Sequence, residues 1–128
     1  MKSKTTILLL ILALALCVTA CGANEAKRPI DCPGTTWTCN EAEFVFSVSN
    51  EKQITNAHVV DENGNDVEVT ISFSTIEEAK ATVSSIDGSA LYFSGVCTFK
   101  NNSFTLIVTD KYDPKFSNLP IMLSFSKS

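Results

Sequence analysis

The sequence predicts an all-β fold: a small antiparallel meander of about eight strands, closed into a barrel in preference to a two-sheet sandwich. Two observations predict it. Apolar residues alternate with polar ones along most of the chain beyond residue 34, the period-2 signature of half-buried strands. Between the alternating runs stand Asn63-Gly64 and Asn101-Asn102, the chemistry of tight hairpin turns. With 128 residues, 45% hydrophobic and 19% charged, the chain suits one domain and is too apolar to be disordered throughout.

In chain order the strands are expected near 35–39, 43–49, 54–61, 66–74, 80–86, 90–100, 103–109 and 120–126. Trp37 and Cys39 share one face of the first, and Phe44, Phe46 and Val48 one face of the second. Val67, Val69, Ile71 and Phe73 alternate with Glu68, Thr70, Ser72 and Ser74 in the fourth. Leu91, Phe93, Cys97 and Phe99 line one face of the sixth, with Gly95 between them. Phe104, Leu106 and Val108 follow, and Ile121, Leu123 and Phe125 end the series. The one helix-like signal is the capping box Thr75-Ile76-Glu77-Glu78, with room for a turn or two before Thr82. Eight such strands close a barrel that side chains can fill, or that holds one small ligand.

The hairpins set the register. A two-residue turn at Asn101-Asn102 pairs Phe99 with Phe104, Cys97 with Leu106 and Gly95 with Val108, which places every apolar pair on one face and turns Cys97 inward. At Asn63-Gly64 two registers compete. A two-residue turn buries His58 opposite Val69; a three-residue turn with a bulge puts Ala57 and Val59 inside and leaves His58 in water.

Residues 1–20 read as an address. Lys2 and Lys4 precede an uncharged run from Ile7 to Val18, too short for a membrane-spanning helix of about 20 residues and suited to a secretory signal peptide. Leu16-Cys17-Val18-Thr19-Ala20-Cys21-Gly22 resembles the lipobox of bacterial lipoproteins. That resemblance implies cleavage before Cys21, lipidation of its sulfur, and residence on the extracytoplasmic face of a bacterial membrane, the outer one in a Gram-negative cell. Two or three acyl chains anchor stably where one is marginal. Residues 21–31 would then be anchor and tether, and 32–128 the domain. Removing the leader leaves 108 residues and takes the net charge from −4 to −6. Such a chain lacks the clustered cations of a nucleic-acid binder.

Gly34 ahead of Trp37 resembles the Gly-x-Trp that opens lipocalin-like barrels, with one residue more between them and no other part of that family's pattern. Three cysteines belong to the domain: Cys32, Cys39 and Cys97. In an oxidising compartment the favoured bridge is Cys39–Cys97, since both face inward, with Cys32–Cys39 as the local alternative. Closing the longer loop would stabilise by roughly 4 kcal/mol.

No catalytic or metal-binding constellation stands out. Cys32 and Cys39 are too far apart in sequence for a zinc knuckle, and His58 is the only histidine. Asp61-Glu62-Asn63-Gly64-Asn65-Asp66 alternates oxygen ligands like a calcium loop, but Asp66 occupies the position of the required Gly and Ser72 that of the bidentate Glu; an Asn-Gly turn accounts for it better. Glu77 and Glu78 are adjacent and share no face. No metal or cofactor is therefore expected.

The segment from Asp110 to Leu119 offers a contact loop, Lys111, Tyr112, Lys115 and Phe116 around Pro114, although Tyr112 and Phe116 would equally serve to fold back and plug the barrel. The expected function is a lipid-anchored, non-enzymatic binding module for a small apolar ligand or an envelope protein. An inhibitor of an extracellular enzyme such as lysozyme or a protease is the alternative.

Overall fold

The computed structural model describes residues 26–128, so the leader and Cys21 lie outside the described residues. Nine strands form one antiparallel sheet: β1 (Thr35–Cys39), β2 (Phe44–Val48), β3 (Ile54–Val60), β4 (Asp66–Glu68), β5 (Thr70–Phe73), β6 (Lys80–Ser84), β7 (Leu91–Phe99), β8 (Ser103–Lys111) and β9 (Met122–Lys127). Successive strands are neighbours except β4 and β5, which end the sheet on either side, and β9 returns to pair with β1, with Trp37 opposite Lys127 and Cys39 opposite Phe125. The sheet thus wraps into a nearly closed up-and-down barrel. The eight expected strands are present, with the fourth divided at Val69 into β4, which pairs with β3, and β5, which pairs with β6. Thr75 caps a single turn by accepting from Glu78 N–H (3.2 Å), and β6 follows at once, so no helix forms.

The β7–β8 hairpin has the register its turn dictates: Phe99 faces Phe104, Cys97 faces Leu106 and Gly95 faces Val108. A bulge at Ser94/Gly95 brings the backbones together there; a Cβ on Gly95 would stand 1.9 Å from Ile107 O. At the β3–β4 turn the bulged register holds: Ala57 and Val59 are buried and His58 points outward, half-exposed. The loop is longer than a simple Asn-Gly turn. Asp61 closes it, its Oδ1 accepting from the N–H groups of Asn63 and Asn65 (both 2.9 Å), while Gly64 supplies the left-handed residue (φ +82°).

Two apolar positions differ from the alternation. Leu91 is exposed and Tyr92 buried, because the β6–β7 register shifts between Val83 and Ser84. Ile121 precedes β9 and lies outside, while Leu123 and Phe125 point in.

The interior is aromatic. Ring contacts run without a break from Phe73 to Phe104 (5.6 Å between centroids), Phe125 (4.5 Å), Phe44 (5.1 Å), Phe93 (6.1 Å) and Phe116 (5.5 Å). Trp37 joins the ladder through Phe46 and Phe104, its Nε1 donating to Thr35 Oγ1 (2.9 Å). Burying each ring contributes about 1.5–3 kcal/mol of transfer free energy, and ring pairs add about 0.5–1.5 kcal/mol.

Short 3-10 turns cover both ends. Pro29–Asp31 covers one, where Arg28 ion-pairs with Asp31 (2.8 Å) and donates to Ser74 O (3.1 Å), so the folded unit reaches back past Cys32. Pro114–Phe116 covers the other, with Phe116 buried against Tyr92 and Phe93.

Candidate functional site

The meander sorts the loops between two ends. The end where the chain enters carries the loops between β2 and β3, β5 and β6, and β7 and β8. The opposite, distal end carries those between β1 and β2, β3 and β4, β6 and β7, and β8 and β9. Charge follows this division. Lys27, Arg28, Lys52, Lys80, Lys100 and Lys127 lie at the entry end, beside the carboxylates of Asp31, Glu51, Glu77 and Glu78. The distal end gathers Glu41, Glu43, Asp61, Glu62, Asp66, Asp87, Asp110 and Asp113, with only Lys111 and Lys115 to offset them.

Both of those lysines are engaged. Lys111 Nζ donates to Ser117 O (2.9 Å) and Leu119 O (2.8 Å), stitching the loop to its own strand. Lys115 Nζ sits 4.7 Å from the centre of the Tyr92 ring and 3.8 Å from Asp113. With Phe116 buried as a plug, the expected contact loop keeps one free member, Tyr112, which is exposed and hydrogen-bonds Ser94 through its hydroxyl (3.0 Å). The aromatic pair therefore divides: Phe116 folds back and Tyr112 does not.

Two contiguous grooves cross the distal rim. The larger, about 530 Å³, runs between β1, β2 and β3 and is lined by Cys39, Glu41, Glu43, Phe44, His58 and Asp66 among others. The second, about 380 Å³, continues over Val60, Asp61, Glu62, Leu119 and Pro120. Glu41, Ala42, Glu43 and Val60 line both. The floor is partly apolar and the rim is carboxylate. Glu41 is braced as it turns the corner: its Oε1 accepts from Ser124 N–H (2.6 Å), which holds its carboxyl below the usual range. Glu62 accepts from Ser117 Oγ (2.8 Å), binding the β3–β4 loop to the plug. His58 Nδ1 lies 3.1 Å from Asp66 Oδ2 but is shielded and not aligned for a hydrogen bond. Among the described residues no group of three potential ligands is placed to hold a metal ion.

This groove is barely legible in the sequence, because its carboxylates come from separate turns that only the meander brings to one end. The runs Glu41-Ala42-Glu43 and Asp61-Glu62 were its sole signal.

The three cysteines are free thiols, and the expected Cys39–Cys97 bridge is not made. Strands β9 and β8 lie between β1 and β7. Three strand spacings of about 4.8 Å far exceed the span a disulfide tolerates. Cys39 Sγ instead contacts Glu41 Oε1 (3.7 Å), and its thiol is pushed up by burial. Desolvation alone raises the Cys97 thiol to about 12, which makes it a core residue and no nucleophile. Cys32 Sγ contacts Arg28 O (3.7 Å) at the entry end, so Cys32–Cys39 is not formed either. No protein-family model matches the chain, and no curated protein and no solved structure matches it.

Proposed function

We propose that this chain is a lipid-anchored extracytoplasmic binding module, not an enzyme, and that it engages a cationic protein partner through its distal end. The observation that carries the reading is the acidic groove at the end opposite the chain's entry. An anchor at Cys21 would hold the entry end, with its lysines, toward the membrane and present the carboxylates outward. Charge complementarity of this kind steers encounter and selects partners.

The aromatic ladder favours a protein partner over a small apolar ligand, since the rings already occupy the space such a ligand would need. Inhibition of a cationic extracellular enzyme such as lysozyme is the second reading, favoured by the same rim of carboxylates.

Lysozyme serves as a cationic probe for both. Binding to the full-length chain should weaken at least tenfold between 50 and 500 mM salt, in the manner of screened charges. It should weaken similarly in Glu43→Gln/Glu62→Gln. Inhibition of the enzyme on binding would favour the second reading, and no retention at low salt would count against both. Native mass spectrometry should give the same mass as the denatured chain; a heavier native species would return the reading to a carrier.

A further inference from the structure

His58 is the one histidine in the chain, and the strand register sets it among carboxylates. It faces outward on β3, opposite Glu68 of β4 on one side and Val45 of β2 on the other. Asp66 shares the outward face of β4 with Glu68, and its Oδ2 lies 3.1 Å from His58 Nδ1. On β2 the same face continues from Val45 to Glu43, whose C=O accepts from Val60 N–H (3.0 Å). Glu41 joins from the β1–β2 turn, and Thr38, opposite Val45 on β1, carries no charge. His58 thus stands at the edge of the distal groove, with a second groove over Gln53 to Ala57 and Glu68 on its far side. No Lys or Arg lines either groove.

The contact with Asp66 is incomplete. His58 Nδ1 is shielded from water and makes no hydrogen bond, so the neutral ring leaves the Asp66 carboxylate free for another cation. A proton changes both groups at once. The imidazolium carries a donor on each ring nitrogen, and at this distance a small turn of the ring completes a charge-assisted bond to Asp66. The groove then gains a positive charge while one of its carboxylates is taken up.

We propose that His58 is a proton switch on the distal groove: protonation loosens the groove's hold on a cationic segment of a partner, and loss of the proton restores it. The inference rests on the acidic-groove reading above and adds its regulation. Histidine is the side chain that ordinarily changes charge between pH 5 and 8. Ordinary carboxylates stay ionised over most of that range, and Glu41 is held lower still by its hydrogen bond from Ser124 N–H. The carboxylates therefore supply the attraction, and His58 supplies its response to pH. Proton and partner compete for the same carboxylates, so each weakens the other's hold.

The probe is an N-acetylated hexa-arginine amide, whose charge is constant across the range. Its binding to the full-length chain is measured by titration calorimetry in 50 mM salt at pH 8.0 and pH 5.5. The parent chain should bind it about threefold more weakly at the lower pH, the effect of one unit charge about 6 Å away in a water-like setting. His58→Gln should lose this step. His58→Lys, which carries its charge at both pH values, should bind at pH 8.0 as weakly as the parent does at pH 5.5. Equal binding by the parent at the two pH values would overturn the switch and leave the acidic-groove reading standing. So would a full step retained in His58→Gln, which would place the titration on the carboxylates. A peptide that fails to bind the parent at pH 8.0 would overturn the acidic-groove reading and the switch together.

Discussion

Phe104 and Phe125 are cross-strand partners in β8 and β9, and their rings stack with centroids 4.5 Å apart and planes 1° from parallel. That separation exceeds the thickness of a ring, so the stack is offset, the arrangement the aromatic quadrupole favours. The pair sits centrally in the ladder, touching Phe73, Phe46, Trp37 and Phe44. Phe104→Ala should therefore cost about 3–5 kcal/mol in urea denaturation, with the slope of the transition unchanged. It should also open a dry cavity. Phe104→Leu, which keeps most of the volume, should cost clearly less. Equal losses in the two variants would mean that the interior relaxes around the gap.

Gly95 makes the opposite case, where nothing more fits. Its missing Cβ would lie 1.9 Å from Ile107 O and 2.7 Å from the adjoining carbonyl carbon. Those atoms are backbone in a paired strand, so relief requires β7 and β8 to separate. Gly95→Ala should lower stability by about 3 kcal/mol, the upper part of the range for overpacking. The same change at Gly64, whose Cβ would meet nothing within 4 Å, should cost only the strain of its left-handed backbone. Thermal denaturation of the two variants should rank them in that order.

Most of the barrel was legible because strand alternation and turn chemistry agree along the chain. The Phe99–Phe104 register follows from Asn101-Asn102 alone, since any slip would turn Cys97 and Leu106 into water. Where two residues oppose one, period-2 counting fails: it sends Leu91 inward, although the β6–β7 shift gives that place to Tyr92. The split of the fourth strand was hidden for the same reason, because Val67, Val69, Ile71 and Phe73 alternate smoothly through a point where the partner strand changes. Shared inward facing suggested a Cys39–Cys97 bridge, but facing inward does not make two strands neighbours. The distal groove depends on which loops meet at one end, and no local pattern encodes that.

The free thiols make a direct prediction. With the Cys97 thiol pushed up to about 12, its thiolate fraction at pH 8 is on the order of 10⁻⁴. Cys32, the only one of the three that is partly exposed, should react first with a disulfide reagent, and Cys97 only as fast as the barrel unfolds. The denatured mass of the domain should be the same with and without reductant. A difference of two protons would show that a bridge forms after all.

Acid should loosen the entry end first. Asp31 is held below the ordinary carboxylate value of 3.8, chiefly by its hydrogen bond from Arg28, with their charges adding. Its folded pKa is depressed, so its contribution to stability is complete above that ordinary value and disappears as pH falls through the folded one. The pair is partly solvated, and its worth is about 0.2–1 kcal/mol. Loss of the carboxylate frees Arg28, which also donates to Ser74 O, and so releases the Pro29–Asp31 turn from the β5–β6 loop. Between pH 4 and pH 2 the protection of the Asp31 and Cys32 amides, measured against the intrinsic exchange rate at each pH, should therefore fall ahead of that of the β7–β8 ladder; their N–H groups donate to Arg28 O and Pro29 O. Asp31→Asn should show the faster exchange already at pH 7 and change little on acidification. If the variant keeps the acid response of the parent chain, the loosening comes from another carboxylate at that end, with Glu77 beside Arg28 the next to replace.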